Sequence, residues 1–283
     1  MKTRAAVIHE MHKPRPYATS NHLARPCIIC CGGQHLMRIA IISDIHGNDL
    51  AFEAALNDIR QQGVDKIVCN GDCIQGGPQP AQVVARLRAL GCPIVIGNAD
   101  AYLLSGYDEE DATTPPDRLQ RLQTVREWSL SQLNDADRAF INTFQPTVAI
   151  ELNPKQKLLC FHGSPTSYNH IILPKTPDEE VQGYLGHYAD HILTGGHTHL
   201  QQIRPIARSF FFNPGSIGLA WGHQQPMFLF SQAEYAILTL RNETTSLEFR
   251  RVPFDTNKMI QIYRASGRPY AEDLIAEYEA GKA

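Results

Sequence analysis

Blocks of apolar and polar residues alternate along the chain from Met37, and they predict strands and helices in turn. The run "RIAIIS" predicts a buried strand, and "LAFEAALNDIRQQG" has apolar residues at helical spacing with Gly63 placed to end the helix. A second strand in "KIVCN", a helix in "AQVVARLRAL" and a third strand in "PIVI" follow. This order indicates βαβ units, in which a mainly parallel sheet carries helices on its face.

The second half of the chain has a different pattern. Residues 101–145 are charged and helical, which predicts a helical insertion outside the sheet that serves as a lid or cap. Strand patterns then return in "TVAIEL", "KLLCFHG", "HILTGG", "FFFNPGS", "YAILTL" and "SLEFRRV", and closing helices are predicted in "NKMIQIYRAS" and "AEDLIAEYEAG". Because long helices are scarce between these strands, we expect antiparallel pairing here. The prediction is an α/β protein with two packed sheets and helices outside, in a single domain over residues 37–283.

The first 36 residues are polar and show no sustained periodicity. Their one apolar patch, "CIICC", is shorter than the roughly 7–15-residue core of a secretory signal. Cys27, Cys30, Cys31 and His35 could form part of a zinc site, but no second pair completes it. We therefore expect residues 1–36 to be a disordered extension, with Met37 as the natural start.

Composition and charge exclude several classes of protein. The 283 residues are 43% hydrophobic and 19% charged, and the formal net charge of -3 gives no evidence for a nucleic-acid or membrane partner. No apolar run approaches the roughly 18 residues that span a bilayer. Seven scattered cysteines do not resemble a disulfide framework, so a reducing, cytoplasmic location is expected. The oligomeric state stays open.

Polar residues follow five of the apolar runs directly. The carboxyl ends of the strands are where open α/β sheets place their sites. The side chains at these ends are two aspartates, one asparagine and four histidines: Asp44, His46, Asp72, Asn98, His162, His197 and His199. A single histidine or Gly-Asp pair after a strand is usually structural. The ordered occurrence of all seven at successive strand ends is what indicates a site.

The seven side chains offer oxygen and imidazole nitrogen and no thiolate. This mixture suits Mn, Fe, Ni, Co or Zn and is too rich in imidazole for Mg or Ca alone. Seven ligands are too many for one ion, since a catalytic zinc keeps about three protein ligands. Two divalent ions about 3.5–4 Å apart, sharing a carboxylate, would use them all, and manganese is our first expectation. His197 and His199 could then each serve a different ion.

The blocks "SDIHGN", "NGDCIQGGPQP", "IGNAD", "FHGSP" and "GGHTHLQ" resemble the calcineurin-like metallophosphoesterase superfamily, particularly its small bacterial phosphodiesterase branch. The resemblance covers Met37 to about Phe254 and implies a four-layer α/β/β/α sandwich with two mixed sheets. It implies that a first ion is held by Asp44, His46 and His199, and a second by Asn98, His162 and His197. It further implies that Asp72 bridges the ions, and that a metal-bridging hydroxide attacks phosphorus in line.

One position departs from the family pattern. Many members have a histidine directly after the metal-binding asparagine, where it helps to protonate the leaving group, and Ala99 stands there instead. The resemblance thus implies a metal-dependent phosphodiesterase acting on a small phosphorylated substrate, with Asp72, Asn98 and His162 as catalytic residues. The alternatives are a non-catalytic scaffold on the same fold and a phosphomonoesterase or protein phosphatase. Asp100 could recruit a water, but we favour a structural role for it in the turn.

Overall fold

The computed structural model describes residues 36–108, 113–222, 228–242 and 244–281. The zinc hypothesis for Cys27, Cys30, Cys31 and His35 therefore falls outside the described residues, and the boundary at residue 36 stays a prediction.

Eleven strands and eight α-helices are present in the described residues. The strands are β1 (Leu36–Ile42), β2 (Lys66–Cys69), β3 (Val148–Asn153), β4 (Gln156–Cys160), β5 (Ile192–Thr194), β6 (Gln202–Ile206), β7 (Ser209–Asn213), β8 (Trp221–Gly222), β9 (Phe228–Leu229), β10 (Gln232–Arg241) and β11 (Thr244–Pro253). The helices are α1 (Asp49–Gln62), α2 (Pro80–Leu90), α3 (Asn98–Ser105), α4 (Pro116–Ser131), α5 (Asp135–Ile141), α6 (Asp178–Leu185), α7 (Thr256–Ser266) and α8 (Ala271–Ala280). None of these helices is both long and apolar enough to cross a bilayer.

Two mixed sheets pack face to face between helices. The first has strand order β11-β10-β1-β2 and the second β3-β4-β5-β7-β6. Apolar residues of both sheets, among them Ile41, Leu158 and Leu238, form one buried cluster between them. The outer face of the first sheet packs on α1 and α2, and that of the second packs on α6. The predicted α/β/β/α sandwich is confirmed.

Local sequence signals explain why α1 begins and ends where it does. The Asn48 side chain accepts the backbone N–H of Ala51 at 3.0 Å, which caps one of the free amides of the first turn. Gly63 follows the helix with φ +62°, a left-handed conformation that glycine adopts without steric cost. The buried residues Phe52, Ala55, Leu56 and Ile59 are the ones that the helical spacing places on one face.

Two predictions about the strands are wrong. The segment "PIVI" does not form a strand with a continuous hydrogen-bond ladder. Ile94 forms a single bridge to Cys69, and Val95 forms a single bridge to Gln145. The second half is not wholly antiparallel, since β4, β5 and β7 pair in parallel. The connection from β4 to β5 contains α6, and a crossover of this kind is what parallel neighbours require.

Candidate metal centre

All seven donor side chains predicted from the sequence meet at one edge of the two sheets. Each follows a strand or bridged segment, so the chain turns sharply directly beyond the sheet. Asp44 and His46 follow β1, Asp72 follows β2, Asn98 begins α3, His162 follows β4, and His197 and His199 follow β5.

One group of donors consists of Asp44, His46 and His199. The Nε2 atoms of His46 and His199 lie 3.1 Å apart. Oδ1 of Asp44 lies 3.2 Å from Nε2 of His199 and 3.8 Å from Nε2 of His46. Three donor atoms that converge this closely can share one cation.

A second group consists of Asp72, His162 and His197, with Asn98 beside them. Oδ1 of Asn98 lies 3.0 Å from Nε2 of His162 and 3.0 Å from Nδ1 of His197. Nε2 of His162 also lies 3.3 Å from Oδ2 of Asp72. The sequence-based division of the ligands between two ions is thus compatible with the geometry.

The Asp72 carboxylate stands between the two groups. Its Oδ2 atom lies 3.5 Å from Nε2 of His46 in the first group and 3.3 Å from Nε2 of His162 in the second. Its Oδ1 atom accepts the backbone N–H of Ala99 at 2.8 Å, which fixes the orientation of the carboxylate. One oxygen is therefore held in place while the other faces both groups, as a bridging ligand requires.

Backbone carbonyls orient three of the four imidazoles. Nδ1 of His46 contacts the carbonyl oxygen of Gln75 at 2.7 Å, Nδ1 of His162 that of Asn70 at 2.7 Å, and Nδ1 of His199 that of Leu219 at 2.8 Å. Because a carbonyl oxygen only accepts, each Nδ1 carries the hydrogen and each Nε2 of the neutral ring presents a lone pair.

These contacts test whether the donors suit a metal ion. With neutral rings, the lone pairs of His46 and His199 face each other at 3.1 Å. Two acceptors at this distance repel unless a cation or proton lies between them. A mixture of carboxylate, amide and imidazole is a donor set that divalent transition metals accept. The residues present therefore fit a pair of such ions.

The backbone of the site is held in sparsely populated conformations. Asp44, His46, Asp72, His197 and His199 all have positive φ, between +46° and +70°. A non-glycine residue in this region costs roughly 1–3 kcal/mol and persists only where the surroundings enforce it. Such strain clusters at functional sites, and here it is confined mostly to the donors themselves.

The donors perturb one another electrostatically. Burial alone would lower the pKa of His162, but the carboxylates of Asp72 and Asp44 outweigh it and raise this pKa to about 10. Burial and the neighbouring His162 lower the pKa of His197 to about 4. Burial would raise the pKa of Asp72, yet the surrounding imidazoles hold it well below its usual range. Asp72 thus stays ionised, as a metal ligand must.

Asp100 supports the loop that carries Asp72. It is fully buried, and its carboxylate accepts the backbone N–H groups of Cys73 and Ile74 at 3.0–3.1 Å. Burial, together with the charge of Asp72, raises the pKa of Asp100 to about 7. These contacts agree with the structural role favoured from the sequence. His223, which follows Gly222 in the sequence, lies outside the described residues.

A cleft of about 470 Å³ opens over the donors. His46, Asp72, Asn98 and Ala99 are among the residues that line it. The walls include residues that the sequence did not single out: Gln75, Arg118, Arg121, Leu122, Val125, Trp221, Arg268, Tyr270 and Leu274. Among these wall residues, those on α4 could have been grouped from the sequence, since positions 118, 121, 122 and 125 recur at the spacing of one helix face.

Comparison with known sequences shows the family to which the chain belongs. A family model described as "Calcineurin-like phosphoesterase superfamily domain" matches residues 37–242. An uncharacterized protein of Methanocaldococcus jannaschii is 28% identical over 235 residues, 78% of this chain and 89% of that protein. A symmetrical bis(5'-nucleosyl)-tetraphosphatase of Erwinia tasmaniensis is 28% identical over 53% of each chain. Phosphodiesterase YfcE of Escherichia coli is 26% identical over 66% of this chain and 83% of its own.

Solved structures agree on the fold. A metallophosphoesterase from Sphaerobacter thermophilus superposes with a TM-score of 0.64 at 23% identity, covering 87% of this chain and 99% of the other. A hypothetical protein from Pyrococcus horikoshii superposes with a TM-score of 0.68 at 19% identity, covering 85% and 96%. At these identities the likeness concerns the fold.

Proposed function

Because this chain belongs to the calcineurin-like phosphoesterase superfamily, we propose that it is a dinuclear metal-dependent phosphodiesterase acting on a small phosphorylated substrate. One observation carries the proposal: two donor groups lie side by side, and Oδ2 of Asp72 faces both of them. We propose Asp44, His46 and His199 as ligands of the first ion and Asn98, His162 and His197 as ligands of the second, with Asp72 as the bridge.

A pair of divalent ions held by these residues would supply hydroxide from water near neutral pH and would stabilise the negative charge that develops during displacement at phosphorus. The chain's own contribution is to fix the ligands. Asp72, Asn98 and His162 are the proposed catalytic residues: Oδ2 of Asp72 faces both donor groups, and Asn98 and His162 belong to the second group beside it. Manganese is the first candidate among the metals that this donor set accepts.

Ala99 affects which phosphodiester leaving groups the enzyme can expel. Ala99 lines the cleft, and its methyl group cannot donate a proton to a departing alkoxide as the histidine of other members does. General-acid catalysis typically contributes roughly 10²–10⁴-fold. We therefore propose that the enzyme prefers phosphodiesters whose leaving groups are acidic or are protonated by water.

The alternatives receive less support. A scaffold has no need of strained, converging metal donors, and all seven are in place here. Phosphomonoesterases and protein phosphatases of the family normally use the histidine that Ala99 replaces.

Turnover of bis(p-nitrophenyl) phosphate by manganese-loaded protein tests the proposal. We expect Asp72→Asn to lower kcat at least ~10²-fold, because the neutral amide binds two cations poorly. The exposed Asp190, which does not line the cleft, offers a matched control, and Asp190→Asn should keep wild-type turnover. Near-normal activity of a metal-loaded Asp72→Asn protein would refute the assignment.

A further inference from the structure

The cleft over the metal centre holds a second cluster of charge, made of Arg118, Arg121 and Arg268. Arg118 and Arg121 lie one turn apart on α4 and share a helix face with Leu122 and Val125, which also line the cleft. A helix from the insertion thus forms one wall of the cleft and presents two cations to it.

Arg268 comes from the loop between α7 and α8, which also lines the cleft. Its guanidinium donates to the carbonyl oxygens of Gly76 at 2.5 Å and Pro269 at 2.7 Å. In the described part of the chain no carboxylate lies within ion-pair distance of Arg268, so carbonyl contacts position the charge without neutralising it. Gly76 follows Gln75, whose carbonyl holds His46, and Arg268 is therefore fixed close to the first donor group.

The cluster keeps an excess of positive charge. Arg121 forms an ion pair with Asp273, and its guanidinium lies 4.0 Å from the centre of the Tyr270 ring. Arg118 is exposed and has no ion pair with the residues that the structure describes. Asp273 and Glu277 both act electrostatically on Arg268, so three guanidinium groups face two carboxylates among the described residues. The remaining positive charge attracts an anion, and guanidinium matches phosphate in shape and hydrogen bonding.

An aromatic and apolar wall adjoins these arginines. It includes Trp221, Tyr270 and Leu274. Tyr270 is 37% exposed and has φ +58°, an unfavourable conformation for a tyrosine. Because Arg121 covers one face of the Tyr270 ring, a flat ligand group would stack on the exposed remainder of this ring and on Trp221.

We propose that Arg118, Arg121 and Arg268 bind a second phosphate of a nucleotide substrate, while the scissile phosphodiester lies on the metal centre and the base lies against Trp221 and Tyr270. This inference rests on the proposed phosphodiesterase function. The cleft volume of about 470 Å³ is in the range that holds a nucleotide-sized group. The substrate class is a nucleotide phosphodiester that carries at least one further phosphate.

Two chromogenic substrates that differ by one group test the inference. Thymidine 5′-(p-nitrophenyl phosphate) is compared, with and without a 3′-phosphate, using manganese-loaded protein. Because charge-assisted hydrogen bonds to the arginines would hold the added group, the 3′-phosphate should raise kcat/KM at least about 10-fold, mainly through KM. Equal kcat/KM values for the two substrates would overturn the inference.

Substitutions assign the effect to the arginines. Arg118→Gln and Arg121→Gln alter exposed side chains, and each should reduce the preference for the 3′-phosphate about 10-fold or more. Arg264→Gln is the matched control, since Arg264 is an exposed arginine of α7 outside the cleft, and it should keep the wild-type preference. A preference that survives in both cleft variants would contradict the assignment.

Binding separates this inference from the proposed function. Calorimetry compares thymidine 3′,5′-bisphosphate with thymidine 5′-phosphate and needs no turnover. A bisphosphate Kd at least about 10-fold lower, lost in Arg118→Gln, supports the arginine subsite even in a protein that hydrolyses neither substrate. Equal Kd values overturn the subsite even in a protein that hydrolyses both.

Discussion

At the scale of single residues, the site depends on how closely backbone and side chains approach Asp72. A Cβ atom added at Gly97 would overlap Oδ1 and the backbone nitrogen of Asp72. Gly97 has an ordinary backbone conformation, so the effect of a side chain there is steric. The sequence pattern "GNAD" marks Asn98 as a donor, but the contact that explains the preceding glycine exists only in the folded protein.

We expect Gly97→Ala to lower kcat about 10²-fold, because displacing a bridging ligand by about 1 Å disrupts the geometry of the reaction. Gly183→Ala is the control, since an added Cβ there meets no atom within 4 Å. Steady-state kinetics of both manganese-loaded variants, with metal content measured, checks this. Wild-type activity of Gly97→Ala would show that Asp72 tolerates the displacement.

Ala99 provides a second test at this scale. Ala99→His should raise kcat at least about 10-fold on an alkyl phosphodiester and leave p-nitrophenyl esters nearly unaffected, since only the poor leaving group needs a proton. The backbone N–H of residue 99, which donates to Oδ1 of Asp72, is kept in the variant. Ala99→Gln, of similar size but without an acid, serves as the control. Equal gains on both esters would argue against a missing general acid.

At the scale of elements, α1 is tied to the first sheet by a charged contact. Asp58 accepts the Nε and Nη2 hydrogens of Arg250 at 2.7 and 2.9 Å and the hydroxyl of Tyr235 at 2.6 Å. These hydrogen bonds, those of Arg250 first, lower the pKa of Asp58 below its usual value of 3.8. The contact joins α1 to β10 and β11 beside the strand that leads into the metal centre.

Asp58→Asn should therefore reduce the free energy of unfolding by about 1–2 kcal/mol at neutral pH. A carboxyl group with a lowered folded-state pKa stabilises the fold above its unfolded pKa and loses that contribution as the pH falls through the folded value. The difference between wild type and variant should thus shrink below about pH 4. Urea unfolding across this range, with Asp190→Asn as control, checks it. A difference that does not change with pH would contradict the ionic account.

The elements differ in how far the sequence predicts them. The apolar spacing of α1 and its flanking Asn48 and Gly63 predict that helix well, because these signals are local. β6 escaped prediction because it is an edge strand with Pro205 inside it and Ile203 exposed. The parallel pairing of β4, β5 and β7 was also missed, since strand order depends on contacts between distant segments.

At the scale of the whole molecule, the donors were predictable while the cleft was not. The donors follow strand ends, and the order of strands along the sequence brings those ends to one edge. The cleft joins α4 to the loop before α8, where Arg121 contacts Asp273 and Tyr270. Residues so far apart along the chain meet only through tertiary packing, and no local pattern marks Arg268 as a neighbour of His46.

The central claim is that the folded chain holds two cations at adjacent positions. Anomalous diffraction from crystals grown with manganese tests it most directly. We expect two peaks about 3.5–4 Å apart, one beside Asp44, His46 and His199 and the other beside Asn98, His162 and His197, with Asp72 contacting both. A map with a single peak, or with none near Asp72, would contradict the dinuclear centre.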